Sequence, residues 1–241
     1  MKGTITMFQD VIGVVGGMGS YATLSFFQRL LDAFPGEKEW DRPRILIDNR
    51  CTMPSRVRAI LYHEQEQELI DQMTDSVNHL LAAGATKIIL ACNTSHHFLP
   101  GIYEKLPEAK GKVMSIIEAT ADAVVAAGTT GTVNLLASEG TIDIGIFHKA
   151  LGARGIDVLT PNEEEFAHQR EIIESVKQKK ITKHEVDLLV NLINSAPSDT
   201  VIIGCTEFPI AFEQVDKTAI QNKVVIDPLQ CVIDQLTQTI K

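Results

Sequence analysis

Twice in this chain a short, unbroken run of apolar residues stops at a cysteine and turns polar. The first is Lys87-Ile88-Ile89-Leu90-Ala91-Cys92-Asn93-Thr94-Ser95-His96, and the second is Val201-Ile202-Ile203-Gly204-Cys205-Thr206-Glu207. A strand with one wet face alternates apolar and polar residues. These runs do not alternate, so each predicts a strand buried on both faces, as in parallel sheets covered by helices. The fold class is therefore α/β. Each cysteine then stands at the carboxyl end of its strand, where open α/β sheets hold their ligands. A single such cysteine is ordinarily a small hydrophobe. Two in the same local context point to chemistry.

The surrounding segments repeat with them. Residues 11–15 read as a first buried strand, running into the turn Gly16-Gly17-Met18-Gly19-Ser20. A helix follows, with Leu24, Phe27, Leu30 and Leu31 at helical spacing, and it ends near Pro35-Gly36. Residues 44–48 form the next strand and 49–55 a loop. An amphipathic helix over 63–83 buries Leu69, Met73, Val77, Leu80 and Leu81 and is closed by Gly84 before the Cys92 strand. Another helix starts past Ser95, residues 113–117 give a fourth strand, and 119–127 a helix of small residues. The order then restarts. Residues 131–137 resemble the first strand, and Ser138-Glu139-Gly140-Thr141 occupies the place of the glycine-rich turn. A helix over 142–151, a strand over 157–160 and helices over 163–178 and 182–195 lead to the Cys205 strand. Residues 224–227 form the last strand, and Pro228 opens a closing helix. The expectation is two similar parallel-sheet α/β domains related by pseudo-twofold symmetry, 1–117 with 227–241 and 118–226, with a ligand cleft between them.

Composition narrows the partners. The 241 residues carry a formal charge of −9, which leaves no basic footprint for nucleic acid and requires local Lys or Arg to capture any anionic ligand. No apolar run approaches the roughly 20 residues of a membrane span. Residues 1–6 read as entering a strand at once, without the apolar core of a signal peptide. Four cysteines without paired spacing predict reduced thiols and a cytoplasmic protein.

Two thiols flanking one carbon centre suit the inversion of a stereocentre. One thiolate removes the α-proton, and the opposite thiol delivers a proton to the other face; a single group returns the proton to the face it left. A free thiol titrates near ~8.5, and a helix N-terminus or a cation lowers that value. Because a helix follows each cysteine, both are expected to be acidified. The carbanion needs hydrogen-bond donors around its carboxylate, and the N–H groups and hydroxyls at Asn93, Thr94, Thr206 and Glu207 can supply them. Each such Thr is otherwise simply a helix cap.

Residues 13–23 (Gly-Val-Val-Gly-Gly-Met-Gly-Ser-Tyr-Ala-Thr), the Cys92 motif and Gly204-Cys205-Thr206-Glu207 together resemble the aspartate/glutamate racemase superfamily, closest to its aspartate racemase branch. The resemblance spans essentially the whole chain. It implies an amino-acid racemase independent of pyridoxal phosphate, without cofactor or metal, a homodimer whose partner is a small acidic amino acid. Carried over, Cys92 and Cys205 are the acid/base pair. Arg56, in Met53-Pro54-Ser55-Arg56, and Lys177, in Ile173-Glu174-Ser175-Val176-Lys177, hold substrate carboxylates. Met18, Gly19, Ser20, Asn49, Asn93, Thr94, Ser138, Thr141, Thr206 and Glu207 complete the substrate site. The family loop usually carries Asp where this chain has Ser55, so the support of Arg56 must differ. Glutamate racemases typically have Asp-Ser-Gly in the first loop and Cys-Thr-His at the second cysteine, unlike the motifs here. Hydantoin racemases and maleate isomerases share the fold and the cysteine pair.

Other readings of the same residues are weaker. The turn lacks Gly-x-Gly-x-x-Gly spacing and so argues against a dinucleotide. Cys92, His96 and His97 lack the carboxylates of a metal site; His96 is expected to line or cap the site and His97 to face solvent. A Cys92–His96 nucleophile leaves Cys205 without a purpose. Cys51 falls in the substrate loop, and Cys231 reads as core filler. A non-catalytic binder of an amino acid or dicarboxylate is the remaining class, and proton exchange at the substrate α-carbon separates it from an enzyme.

Overall fold

The computed structural model describes residues 8–240, so the strand expected over 1–6 lies outside the described residues. Among the described residues eight strands form two separate four-stranded sheets, every pairing parallel. The first contains β1 (Val11–Gly16), β2 (Arg44–Asn49), β3 (Lys87–Leu90) and β4 (Val113–Met114), in the order β2-β1-β3-β4. The second contains β5 (Thr132–Leu136), β6 (Asp157–Leu159), β7 (Thr200–Ile203) and β8 (Val224–Ile226), in the order β6-β5-β7-β8. The two orders correspond strand for strand. In each, the chain leaves the central strand toward one edge and returns on the other side, so a switch point lies between β1 and β3 and again between β5 and β7. The Cys92 and Cys205 loops open from those two points.

Unbroken apolar strands make sense here because both sheet faces are covered. In the first sheet Val15, Ile88 and Leu90 pack under α3 (Glu66–Ala82) with Leu69, Met73 and Val77. Ile12, Val14 and Ile89 point the other way, against α1 (Ser20–Ala33) and α11 (Pro228–Thr239) through Phe26, Leu30, Val232 and Ile233. In the second sheet, Leu136, Val201 and Ile203 pack under α8 (Glu163–Lys177) and α9 (Lys183–Ser195). Val133, Leu135 and Ile202 meet α7 (Ile146–Gly152) through Phe147 and Leu151. Helix α5 (Ile116–Ala126) belongs to both halves. Ile116 and Ala119 enter the core of the first, while Ile117, Ala121 and Val124 enter that of the second.

Several expected boundaries move for local reasons. The fourth strand stops at Met114, because Ser115 accepts a hydrogen bond from Glu118 N–H at 3.2 Å and starts α5 three residues early. The helix expected over 63–83 is two helices. Ser55 caps α2 (Arg56–Tyr62), the chain then passes through left-handed His63 and Gln65, and α3 begins at Glu66. The helix expected over 142–151 starts at the Ser138 cap as α6 (Glu139–Asp143), and Gly145, at φ +61°, separates it from α7. In α1 the inward face is Ala22, Thr23, Phe26 and Leu30; Leu24 is 61% exposed, where it was expected inside, and Phe27 is only half-buried. Residues past Cys92 form a 3-10 turn, Thr94–Phe98, before α4 (Leu99–Lys105). The Cys205 loop leads into α10 (Phe208–Phe212).

The glycine-rich turn is built for close approach. Gly17 has φ +83°, and a Cβ there would stand 2.3 Å from the Arg50 carbonyl carbon. Gly84 has φ +98° and open space around it. Gly17→Ala is therefore expected to cost about 2–4 kcal/mol, strain and clash together, against about 1 kcal/mol for Gly84→Ala, which meets strain alone. Urea unfolding of the two variants measures the difference.

Candidate active site

A cavity of about 80 Å3 lies where the carboxyl ends of the two sheets face each other. Met18 from the turn after β1, Ser55, Arg56 and Val57 around the start of α2, and Cys92, Asn93 and Thr94 after β3 come from one half. Ser138 after β5, Ile173 and Lys177 on α8, and Gly204, Cys205, Thr206 and Glu207 after β7 come from the other. The two cysteines thus enter one cavity from equivalent positions of the two sheets. Both are free thiols, Cys92 buried and Cys205 half-buried.

Hydrogen bonds tie the halves together beside them. Asn93 Nδ2 donates to the Gly204 carbonyl at 2.7 Å, linking one cysteine loop directly to the other. Thr94 Oγ1 meets Thr141 Oγ1 at 2.7 Å, and Thr141 also contacts Ser138 Oγ at 3.0 Å. Thr141, expected as a lining residue, is therefore a buried support behind Thr94 and Ser138. Gly204 packs tightly on β5, since a Cβ there would fall 2.7 Å from Leu135.

Arg56 is held without an acidic partner. Its two terminal nitrogens donate to the carbonyls of Pro54, at 3.2 Å, and Met18, at 2.5 Å. Its Nε is buried with no partner. Ser55, the neighbour of Arg56, accepts from Arg58 N–H at 3.3 Å and so caps α2. Backbone carbonyls orient the cation yet leave its charge unneutralised, which suits it to a ligand carboxylate. Lys177 closes the opposite side and donates to Glu174 Oε1 at 3.0 Å. Burial works to lower the Lys177 ammonium, but the Glu174 hydrogen bond and the charges of Glu207, Glu174 and Cys205 outweigh it and hold its pKa above the usual lysine value. It stays cationic.

Cys205 departs from expectation. Its Sγ–H donates to Glu207 Oε2 at 3.0 Å, and Thr206 Oγ1 donates to the same oxygen at 3.3 Å. Burial, reinforced by the Glu207 charge, pushes the thiol well above its ordinary pKa, while Lys177 pulls weakly the other way. The Glu207 backbone N–H at the start of α10 does lower the thiol pKa, but burial and the Glu207 carboxylate outweigh it. Glu207 itself is 3% exposed, and its Oε1 has no partner.

Three other expectations resolve differently. Gly19 and Ser20 line a neighbouring cavity of about 270 Å3, which shares Lys177 and Glu207 with the first. Asn49 lies outside both, its Nδ2 bonded to Ser20 Oγ at 3.3 Å and Cys51 Sγ at 3.2 Å. His96 does not line the site: Ile116 N–H donates to its Nε2 at 3.2 Å, so Nδ1 carries the proton given to the Cys92 carbonyl at 3.1 Å. Burial lowers the imidazole pKa, and a neutral ring caps α5. His97 is exposed, as expected, and Cys231 is half-buried against the α11 core, its thiol pushed up to about 12 by burial and by Asp227 and Asp234. Ser55, Val57, Ile173 and Gly204 are lining residues that the sequence reading omitted. Ile173 carried a signal, for it lies four residues, about one helical turn, before Lys177.

Among the described residues no group of three or more His, Cys, Asp or Glu is placed to hold a metal ion, and no helix is long and apolar enough to cross a membrane. The fold matches that of an aspartate racemase from Picrophilus torridus with a TM-score of 0.80, at 24% identity over 95% of this chain and 94% of that one. An aspartate racemase homologue from Pyrococcus horikoshii gives a TM-score of 0.73, at 22% identity over 95% and 98% of the two chains. In sequence, a glutamate racemase from Lactobacillus johnsonii is 24% identical over 230 residues, covering 94% of this chain and 78% of the relative. The family model for Asp/Glu/Hydantoin racemase matches residues 15–236, a span that runs from the end of β1 through both cysteine loops into α11. With paired parallel sheets and a thiol at the same point of each, this chain belongs to the Asp/Glu/Hydantoin racemase family.

Proposed function

We propose that the protein interconverts the enantiomers of an acidic amino acid, aspartate foremost, by cofactor-independent proton transfer between Cys92 and Cys205. The observation that carries this reading is the approach of the two thiols, from corresponding strands, to one small cavity that also holds Arg56 and Lys177. In this reading Arg56 and Lys177 take carboxylates, one thiolate removes the α-proton, and the opposing thiol protonates the other face. The enediolate formed between these steps is stabilised by the donors of the Asn93, Thr94 and Thr206 loops. The aspartate-branch motifs at residues 13–23 and 204–207 support the four-carbon acid over the five-carbon one. The division into domains 1–117 with 227–241 and 118–226, a homodimer, and a cytoplasmic location belong to the same proposal.

The test is a panel without added cofactor: L- and D-aspartate, L- and D-glutamate, hydantoins and maleate, followed by chiral chromatography. Racemisation of aspartate, with glutamate slower, is expected. Turnover of a hydantoin or of maleate in the absence of amino-acid turnover would overturn the assignment, and tight binding without turnover would make the protein a binder.

A further inference from the structure

We infer that Glu207 is the positioning residue that keeps Cys205 as the proton-donating thiol of the empty site, leaving Cys92 to take the first proton. This rests on the racemase reading for its consequence in turnover, but not for the state of the thiol. The two halves of the fold are alike, yet their cysteine loops are not. After Cys92 come Asn93, Thr94 and Ser95, all uncharged. After Cys205 comes Glu207, whose Oε2 lies 3.0 Å from Sγ. Sulfur is the donor and the carboxylate oxygen the acceptor of that bond, so the shared proton rests on sulfur.

Glu207 is fixed in that task. It is almost fully buried, and the Thr206 hydroxyl donates to the oxygen that faces the sulfur. The other oxygen occupies the space that a side chain at position 19 would fill: a Cβ on Gly19 would stand 2.5 Å from Glu207 Oε1. The third glycine of the turn after β1 therefore makes room for a carboxylate of the opposite half. The other charged or titratable groups at the cavity are Lys177 on α8, with Glu174 bonded to it, Arg56 on α2, and Cys92. Of these, Lys177 opposes the effect of Glu207 on the thiol and is outweighed by burial and the nearer carboxylate.

The consequence is an unsymmetrical cycle. In the direction in which Cys92 acts as the base, its thiolate takes the α-proton of one enantiomer, and the Cys205 S–H bond breaks as its proton reaches the opposite face. One proton is gained at Cys92 and one lost at Cys205, so the reaction balances. The Cys205 thiolate left beside Glu207 is a strong base, fit for the reverse direction. Racemisation has an equilibrium constant of one, so kcat/KM is equal for both enantiomers at each pH. The signature of Glu207 is therefore the position of the alkaline limb, not a ratio of directions.

The experiment follows alkylation of each cysteine by iodoacetamide against pH, resolved by peptide mass spectrometry, in wild type, Glu207→Gln and Gly19→Ala. In Glu207→Gln the Cys205 midpoint is expected to fall by about one to three pH units, as for removal of a like charge at this range, with the Cys92 midpoint unmoved. Gly19→Ala displaces the carboxylate while keeping Glu207 and shifts Cys205 the same way, so the inference stays testable if the first variant does not fold. The alkaline limb of kcat/KM should move down with the thiol. An unmoved Cys205 midpoint, or equal falls at both cysteines, overturns the inference. A lowered Cys205 midpoint with no turnover of any amino acid leaves the Glu207 assignment standing and sinks the racemase reading instead.

Discussion

Serine in place of either Cys92 or Cys205 is expected to reduce racemisation by about 10²–10⁴-fold, the range that a positioned acid/base group supplies. The change is nearly isosteric, and neither sulfur holds the fold together. Cys92 lines the cavity, and Cys205 Sγ is bonded to Glu207. Stability should therefore stay close to wild type. The two variants should also fail differently. Cys205→Ser retains Cys92, so the enantiomer whose α-hydrogen faces Cys92 still exchanges that hydrogen with deuterated water without inverting. Cys92→Ser should give the same exchange with the other enantiomer. A Cys–His nucleophile, with His96 as partner, predicts total loss for Cys92→Ser and little effect for Cys205→Ser. The geometry already weighs against that scheme, since both ring nitrogens of His96 are committed to the backbone. Equal and severe loss in both variants, at unchanged Tm, is the outcome expected.

Arg56→Ala is expected to lower kcat/KM for aspartate by roughly thirty- to several-thousand-fold, corresponding to about 2–5 kcal/mol for removal of one member of a buried charge pair. The loss should appear chiefly in KM if the guanidinium grips a carboxylate remote from the reacting carbon. It should appear in kcat as well if the carboxylate gaining enediolate charge is the one held. Arg56→Lys should recover little. The guanidinium reaches two backbone carbonyls, of Pro54 and Met18, while leaving Nε for a ligand, and an ammonium cannot span that geometry. Steady-state kinetics of the two variants, beside a urea titration to separate folding from binding, measure this. An Arg56→Ala enzyme with wild-type kcat/KM would remove Arg56 from the substrate site.

Much of this architecture was legible in the chain because buried parallel strands write themselves as unbroken apolar runs. The strand-for-strand correspondence of the two sheets follows from the recurrence of such runs before each cysteine. What was not legible was decided by single local contacts. Ser115 as a helix cap converted two isoleucines from strand to helix, and each then served a different core. Left-handed His63 and Gln65 split a helix whose apolar periodicity ran on undisturbed, because periodicity reports which face is buried and not where the backbone turns. At the site, the motifs found the thiols and both cations. They did not reveal that Thr141 stands behind Thr94, or that Asn49 turns toward Ser20 and Cys51, since these depend on contacts between segments far apart in sequence. The expected acidification of Cys205 failed because burial, reinforced by the Glu207 charge two residues later in the sequence, outweighs the helix terminus.

The central claim, two thiols acting from opposite faces of one carbon, is tested by NMR of L-aspartate with the enzyme in deuterated water, read in the first turnovers. The account predicts D-aspartate that carries deuterium at its α-carbon from the outset, formed while the remaining L-aspartate still holds α-hydrogen. Deuterium entering L-aspartate ahead of any D-aspartate would mean a single group returning protons to the face it took them from, and would contradict the account.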